Sequence, residues 1–124
     1  MSKPIKILIV DDDPFMGEVY ESLISEGHDV EVEYAASGYE ALQYLKEEEV
    51  HLVVTDYYMP NGDGGTLCHF CHDQDIPCVV VSSHGPEELL PYLPKDTVIL
   101  HKPRIAKSRM LEDIVEKAIQ ARQA

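Results

Sequence analysis

Short apolar runs recur along the chain at "IKILIV" (5–10), "DVEVEYA" (29–35), "HLVVTD" (51–56), "PCVVVSS" (77–83) and "TVILHK" (97–102). Runs of this length, bounded by polar and turn-forming residues, predict five strands. "DVEVEYA" alternates apolar with acidic residues, as an edge strand does. The others are nearly continuous in Val, Ile and Leu, the pattern of strands covered on both faces.

The intervening segments carry the helical period. Ser37 to Glu48 is the clearest: Ser37 and Glu40 form a capping box, and Ala41, Leu42 and Leu45 follow on one face. Pro14 opens a helix running to about Gly27, with Asp13 as its cap and Phe15, Val19, Leu23 and Ile24 inward. A short third helix turns Leu67, Phe70 and Cys71 inward. "HGPEELLPYLPKD" holds Pro86, Pro91 and Pro94, which limit a fourth helix to little more than two turns. The last helix presents Met110, Leu111, Ile114, Val115, Ala118 and Ile119 as an apolar stripe. Strands alternating with helices predict an α/β fold, a parallel sheet with helices on both faces, as one domain over residues 1–124.

Charge narrows the partners. The 124 residues carry 23 Asp and Glu against 10 Lys and Arg, a formal charge of −13. Phosphate repulsion then argues against direct nucleic-acid binding, and a cationic ligand or a protein partner fits better. The sequence has no apolar run long enough to span a membrane, and its amino-terminal apolar stretch is too short for a signal peptide. A cytoplasmic location is expected. The three cysteines are then reduced thiols. "CHFCH" (68–72) matches a covalent haem pattern and carries zinc-ligand residue types, but haem attachment expects an exported protein and zinc needs more ligands than this one cluster holds. A short helix with inward thiols accounts for it.

The chemistry concentrates where strands end. Asp11, Asp12 and Asp13 follow the first strand and Asp56 closes the third; in such folds ligands bind beyond the carboxyl ends of strands. If those strands are neighbours, the carboxylates share one pocket. Two charges about 5 Å apart repel by roughly 3 kcal/mol at an effective dielectric of 20, so three pairs approach ~10 kcal/mol, as much as a whole domain's stability. A raised pKa, a nearby lysine or a hard divalent cation must offset this, and an oxygen-only ligand set favours Mg2+. Ser82 ends the fourth strand with a hydroxyl and Lys102 ends the fifth with an ammonium. Carboxylate, metal, hydroxyl and ammonium together describe phosphoryl transfer to an aspartate, with Asp56 the nucleophile.

This set, in this order, resembles the receiver domains of two-component response regulators: Asp11 and Asp12, Asp56 within "DYYMPNGDGG", Ser82, and Lys102–Pro103. The resemblance spans essentially the whole chain. It implies a doubly wound, flavodoxin-like sheet of order 2-1-3-4-5. It also implies a metal held by Asp12, Asp56 and the backbone carbonyl of Tyr58, with Asp11 acting largely through water, and a cis Lys102–Pro103 bond. Tyr58 and His84 would border the phosphoryl group and set the lifetime of the acyl phosphate. The donor would be a histidine kinase or phosphotransfer protein, the receiver would control a partner or output domain, and homodimers through the fourth helix, fifth strand and fifth helix are common in the family.

Three features depart from the family, one of them Arg104, which follows Lys102–Pro103 where a Phe is frequent. Ile99 stands where an aromatic ring commonly reports phosphorylation, and the fourth helix is short. Both suit a second reading, an interaction module that works without phosphorylation. A metal-dependent phosphohydrolase with an aspartyl nucleophile would need an acid two residues after Asp56, where Tyr58 stands. The sequence therefore reads as a phosphoacceptor and not as an enzyme.

Overall fold

The computed structural model describes residues 4–25, 30–59, 63–104 and 109–123. Strands and helices alternate in the order β1 (Ile5–Val10), α1 (Pro14–Ser25), β2 (Val30–Ala35), α2 (Gly38–Glu47), β3 (Leu52–Asp56), α3 (Gly64–Asp73), β4 (Cys78–Ser82), α4 (Pro86–Leu89), β5 (Val98–His101) and α5 (Met110–Gln123). The five strands are parallel and ordered β2-β1-β3-β4-β5, so the order reverses between β1 and β3. β2, with the alternating sequence, is an edge strand as its pattern predicts.

Side chains alternate across a strand, so each one feeds two cores. On one face Ile5, Ile7, Ile9, Leu52, Val54, Val79, Val81 and Leu100 pack with Tyr20 and Ile24 of α1 and Leu111 and Val115 of α5. On the other, Leu8, Val10 and Val53 meet Ala41 of α2 and Leu67 and Cys71 of α3. Val80 meets Cys68, Leu89 and Leu93, with Ile99 packed against them.

The capping signals are realised with one change. Ser37 accepts from the Glu40 amide at 3.1 Å, while the Glu40 carboxylate reaches back to the Ala36 amide at 3.3 Å, one residue before the cap. Asp13 caps α1 by accepting from the Phe15 amide at 3.0 Å. α4 is a single turn, continued by a 3-10 turn at Leu90–Tyr92, as its prolines require.

Three inward residues are misplaced by the sequence pattern. Phe15 is 67% exposed; the buried stripe of α1 is centred on Tyr20 and Ile24, which leaves Phe15 outside it. Met110 is 54% exposed, one residue off the Leu111–Val115 row. Phe70 is half-buried, its inward place taken by Cys68. Gly27, the expected end of α1, lies outside the described residues. Among the described residues no peptide bond is cis, so Lys102–Pro103 is trans; the chain enters a 3-10 turn at Lys102–Arg104 directly. Trans is the form that X-Pro bonds prefer in the absence of a constraint against it.

Leu111→Ala removes a fully buried side chain between α5 and the sheet and is expected to lower stability by about 2–5 kcal/mol, while Phe15→Ala stays within about 0.5 kcal/mol; urea unfolding of both variants checks this.

Candidate functional site

Strand parity gathers the site. Asp11 continues the face of Ile9, Asp56 that of Val54 and Lys102 that of Leu100, so all three side chains emerge on the side covered by α1 and α5. Ser82 has the opposite parity, that of Val80. β1 and β3 are neighbours, which brings Asp11 to Asp56, and β4 lies between β3 and β5, across which Lys102 reaches back.

The Lys102 ammonium lies 3.1 Å from Asp11 Oδ2 and 3.1 Å from Asp56 Oδ2. Asp11, Asp12 and Asp56 each present a carboxylate oxygen within 4.8 Å of one another. Asp11 and Asp56 are buried and Asp12 is exposed. Asp11 Oδ1 accepts the Asp13 amide at 2.9 Å; Asp11 Oδ2 is buried, with the ammonium as a charge contact but no well-aligned hydrogen-bond donor. An oxygen-only set of three carboxylates, one with a buried oxygen short of donors, fits a small hard cation. Asp13 stands apart as a helix cap.

Burial pushes the Asp11 carboxyl above its ordinary value, against the Asp13 amide and Lys102, which pull it down; the Asp56 charge adds to the rise. For Lys102, burial acts to lower the ammonium's pKa, but the carboxylates of Asp56 and Asp11 outweigh it and hold it above the lysine value. Two of the three offsets expected from the sequence are thus visible at once.

Ser82 is fully buried, and its Oγ accepts the His84 amide at 3.0 Å. Ser83, equally hydroxylic, is exposed beyond the strand end. At the mouth of the site the exposed Tyr58 ring stands 4.8 Å from both Tyr57 and His84, measured between ring centroids.

Two contributors are absent from the sequence-based set. Gly64 donates its amide to Tyr57 O at 2.8 Å, and a Cβ there would lie 2.3 Å from Asp56 O, so only glycine lets α3 start against the end of β3. The Gly64-Gly65 pair was the available signal. Tyr20 is buried with its hydroxyl unpartnered among the described residues; burial first, then the charges of Asp11 and Asp56, raise its pKa. Side chains on a helix lean toward its amino terminus, which here is the site's edge of the sheet.

The comparisons with known proteins agree with this geometry. The model for the response regulator receiver domain matches residues 7–96. The response regulator Rre1 of Synechocystis sp. is 32% identical over 89 residues, covering 68% of this chain and 38% of that protein. The probable C4-dicarboxylate response regulator DctR of Bacillus subtilis is 28% identical over 124 residues, covering 98% of this chain and 55% of its own length. A crystal structure of a response regulator receiver protein from Sinorhizobium medicae superposes with a TM-score of 0.83 at 27% identity, covering 97% of this chain and 98% of that one. The chain belongs to the response regulator receiver domain family, the signalling module of two-component systems. It spans about two fifths to about half of the length of these two curated relatives.

A carboxyl whose pKa folding raises favours the fold below its unfolded value of about 3.8, and that contribution is lost as pH rises through the raised value. Charged Asp11 therefore weighs against the fold at neutral pH. Lys102 contributes in another window: its stabilisation is present below 10.5 and lost as pH rises through the raised value. Asp11→Asn is expected to raise the urea midpoint at pH 7 and to converge with the parent below pH about 4; unfolding curves across that range measure it.

Proposed function

We propose that this chain accepts a phosphoryl group on Asp56 in a Mg2+-dependent reaction with a histidine kinase or phosphotransfer protein in the cytoplasm, and that the acyl phosphate shifts the domain between two conformations read by a partner or output domain. The supporting observation is the Lys102 ammonium 3.1 Å from both Asp56 and Asp11, with Asp12 alongside. A structural ion pair does not need a third carboxylate at its shoulder.

In this reading an Asp56 carboxylate oxygen bonds to phosphorus as the P–N bond to the donor imidazole breaks; the imidazole keeps that electron pair and takes a proton. The Lys102 ammonium has three N–H donors; it donates to Asp56 and meets Asp11 as a charge contact, which leaves a donor for a phosphoryl oxygen. Ser82 Oγ accepts the His84 amide, which leaves its O–H to donate to another phosphoryl oxygen. Asp12, Asp56 and the Tyr58 carbonyl would hold Mg2+, with Asp11 acting through water, and the ion would neutralise charge on the equatorial oxygens. Tyr58 and His84, flanking the mouth, screen the acyl phosphate from water and so set how long it lasts. Its slow hydrolysis is a timer, not turnover of a free substrate.

A second reading, a phosphorylation-independent interaction module, rests on Ile99 and the single-turn α4: an isoleucine packed against Leu89 and Leu93 has no ring to swing between buried and exposed positions. Acetyl phosphate separates the two. With Mg2+ the chain is expected to gain the mass of one phosphoryl group, and to lose that gain in Asp56→Asn and in EDTA. Unchanged mass at saturating donor leaves the second reading standing.

A further inference from the structure

Three thiols meet on the opposite side of the sheet from the carboxylates. α3 carries Cys68 and Cys71 one turn apart, and β4 begins at Cys78. Cys78 packs against both of the clusters that contain them. The three are not equivalent. A cavity of about 290 Å3 between α3, the start of β4 and the segment before β5 is walled by Cys68 and Cys78 together with His72, Lys95 and Thr97. Cys71 is fully buried and forms no part of that wall. A water-sized oxidant entering the cavity thus meets Cys68 and Cys78 side by side.

The surroundings of the sulfurs are polar on one side. Thr97 Oγ1 lies 3.9 Å from Cys68 Sγ, with its proton directed to Pro94 O at 2.6 Å. The neighbouring Cys78 thiol pulls the Cys68 pKa down, against burial, and the neighbouring Cys68 raises that of Cys78. The same wall carries the Lys95 ammonium and the Asp96 carboxylate.

We propose that Cys68 and Cys78 are an oxidant-responsive thiol pair, with a small hydroperoxide as the reactant. The thiolate of one attacks one peroxide oxygen, the O–O bond breaks, and the departing hydroxide takes a proton to leave as water, giving a sulfenic acid. The other thiol then attacks that sulfur; the S–O bond breaks, a second water leaves with that thiol's proton, and a disulfide remains. The two thiols give up two electrons and two protons in all, and the peroxide accepts them. The product links α3 to β4 across ten peptide units, and thiol reductants reverse it. This chemistry is independent of Asp56 and stands or falls apart from the acyl phosphate.

The folded chain, reduced and freed of reductant, is treated with hydrogen peroxide and analysed by intact mass and non-reducing peptide mapping. The expected result is loss of two hydrogen masses through a Cys68–Cys78 link, reversed by dithiothreitol, absent from Cys68→Ala and Cys78→Ala and retained in Cys71→Ala. The variant that keeps the attacking thiol should instead accumulate a dimedone adduct there, at Cys68 in Cys78→Ala or at Cys78 in Cys68→Ala. Where circular dichroism shows that a variant has not folded, timed alkylation of the parent chain replaces it, with Cys68 expected to react before Cys71. Unchanged mass, a link that includes Cys71, or faster alkylation of Cys71 would overturn the proposal.

Discussion

One ammonium holds together the most highly charged part of the molecule. Lys102 sits 3.1 Å from each of two buried carboxylates at the carboxyl edge of the sheet, in a chain whose formal charge is already −13. Without it, Asp11 and Asp56 would repel by roughly 3 kcal/mol at an effective dielectric of 20, a large share of an ordinary domain's stability. The folded state accommodates both acids because β5 ends where its next residue reaches back across β4. Sheet order, strand length and charge balance are therefore one constraint.

The same constraint ties packing to chemistry. The residues two places before Asp11, Asp56 and Lys102 are Ile9, Val54 and Leu100, all in the core shared with α1 and α5. Whatever repacks that core moves the three charged groups with it. Tyr20 belongs to this core and also feels the two aspartates, so it is the side chain through which the apolar interior and the polar edge meet. Ser82 leaves the other face of the sheet, held by the His84 amide and anchored independently of the ammonium.

Much of this was legible in the chain. Continuous Val, Ile and Leu runs ending in Asp, Ser or Lys mark both the strand and the site, because a strand's last residue leaves the core and faces the crevice. The acidic cluster, its neighbours and the sheet order followed from that pattern and from the family resemblance, and the Asp13 and Ser37 caps from local hydrogen-bonding chemistry. What escaped depends on tertiary context. Tyr20 was hidden because an amphipathic side chain gives no periodicity signal, and Phe15 was placed inward by mistake. Gly64 was hidden because a close approach of two backbones leaves no trace beyond the glycine itself. Cys68 and Cys78 are ten residues apart, and only the return of the chain from α3 into β4 brings them onto one cavity wall.

The missing Cβ at Gly64 has a mechanical meaning. Backbone touches backbone where β3 stops and α3 starts, with the Gly64 amide clasping Tyr57 O and no compressible side chain between them. The tip of β3 and the start of α3 are therefore held in direct contact. That helix also bears Cys68, so one short element borders both the carboxylate edge of the sheet and the thiols.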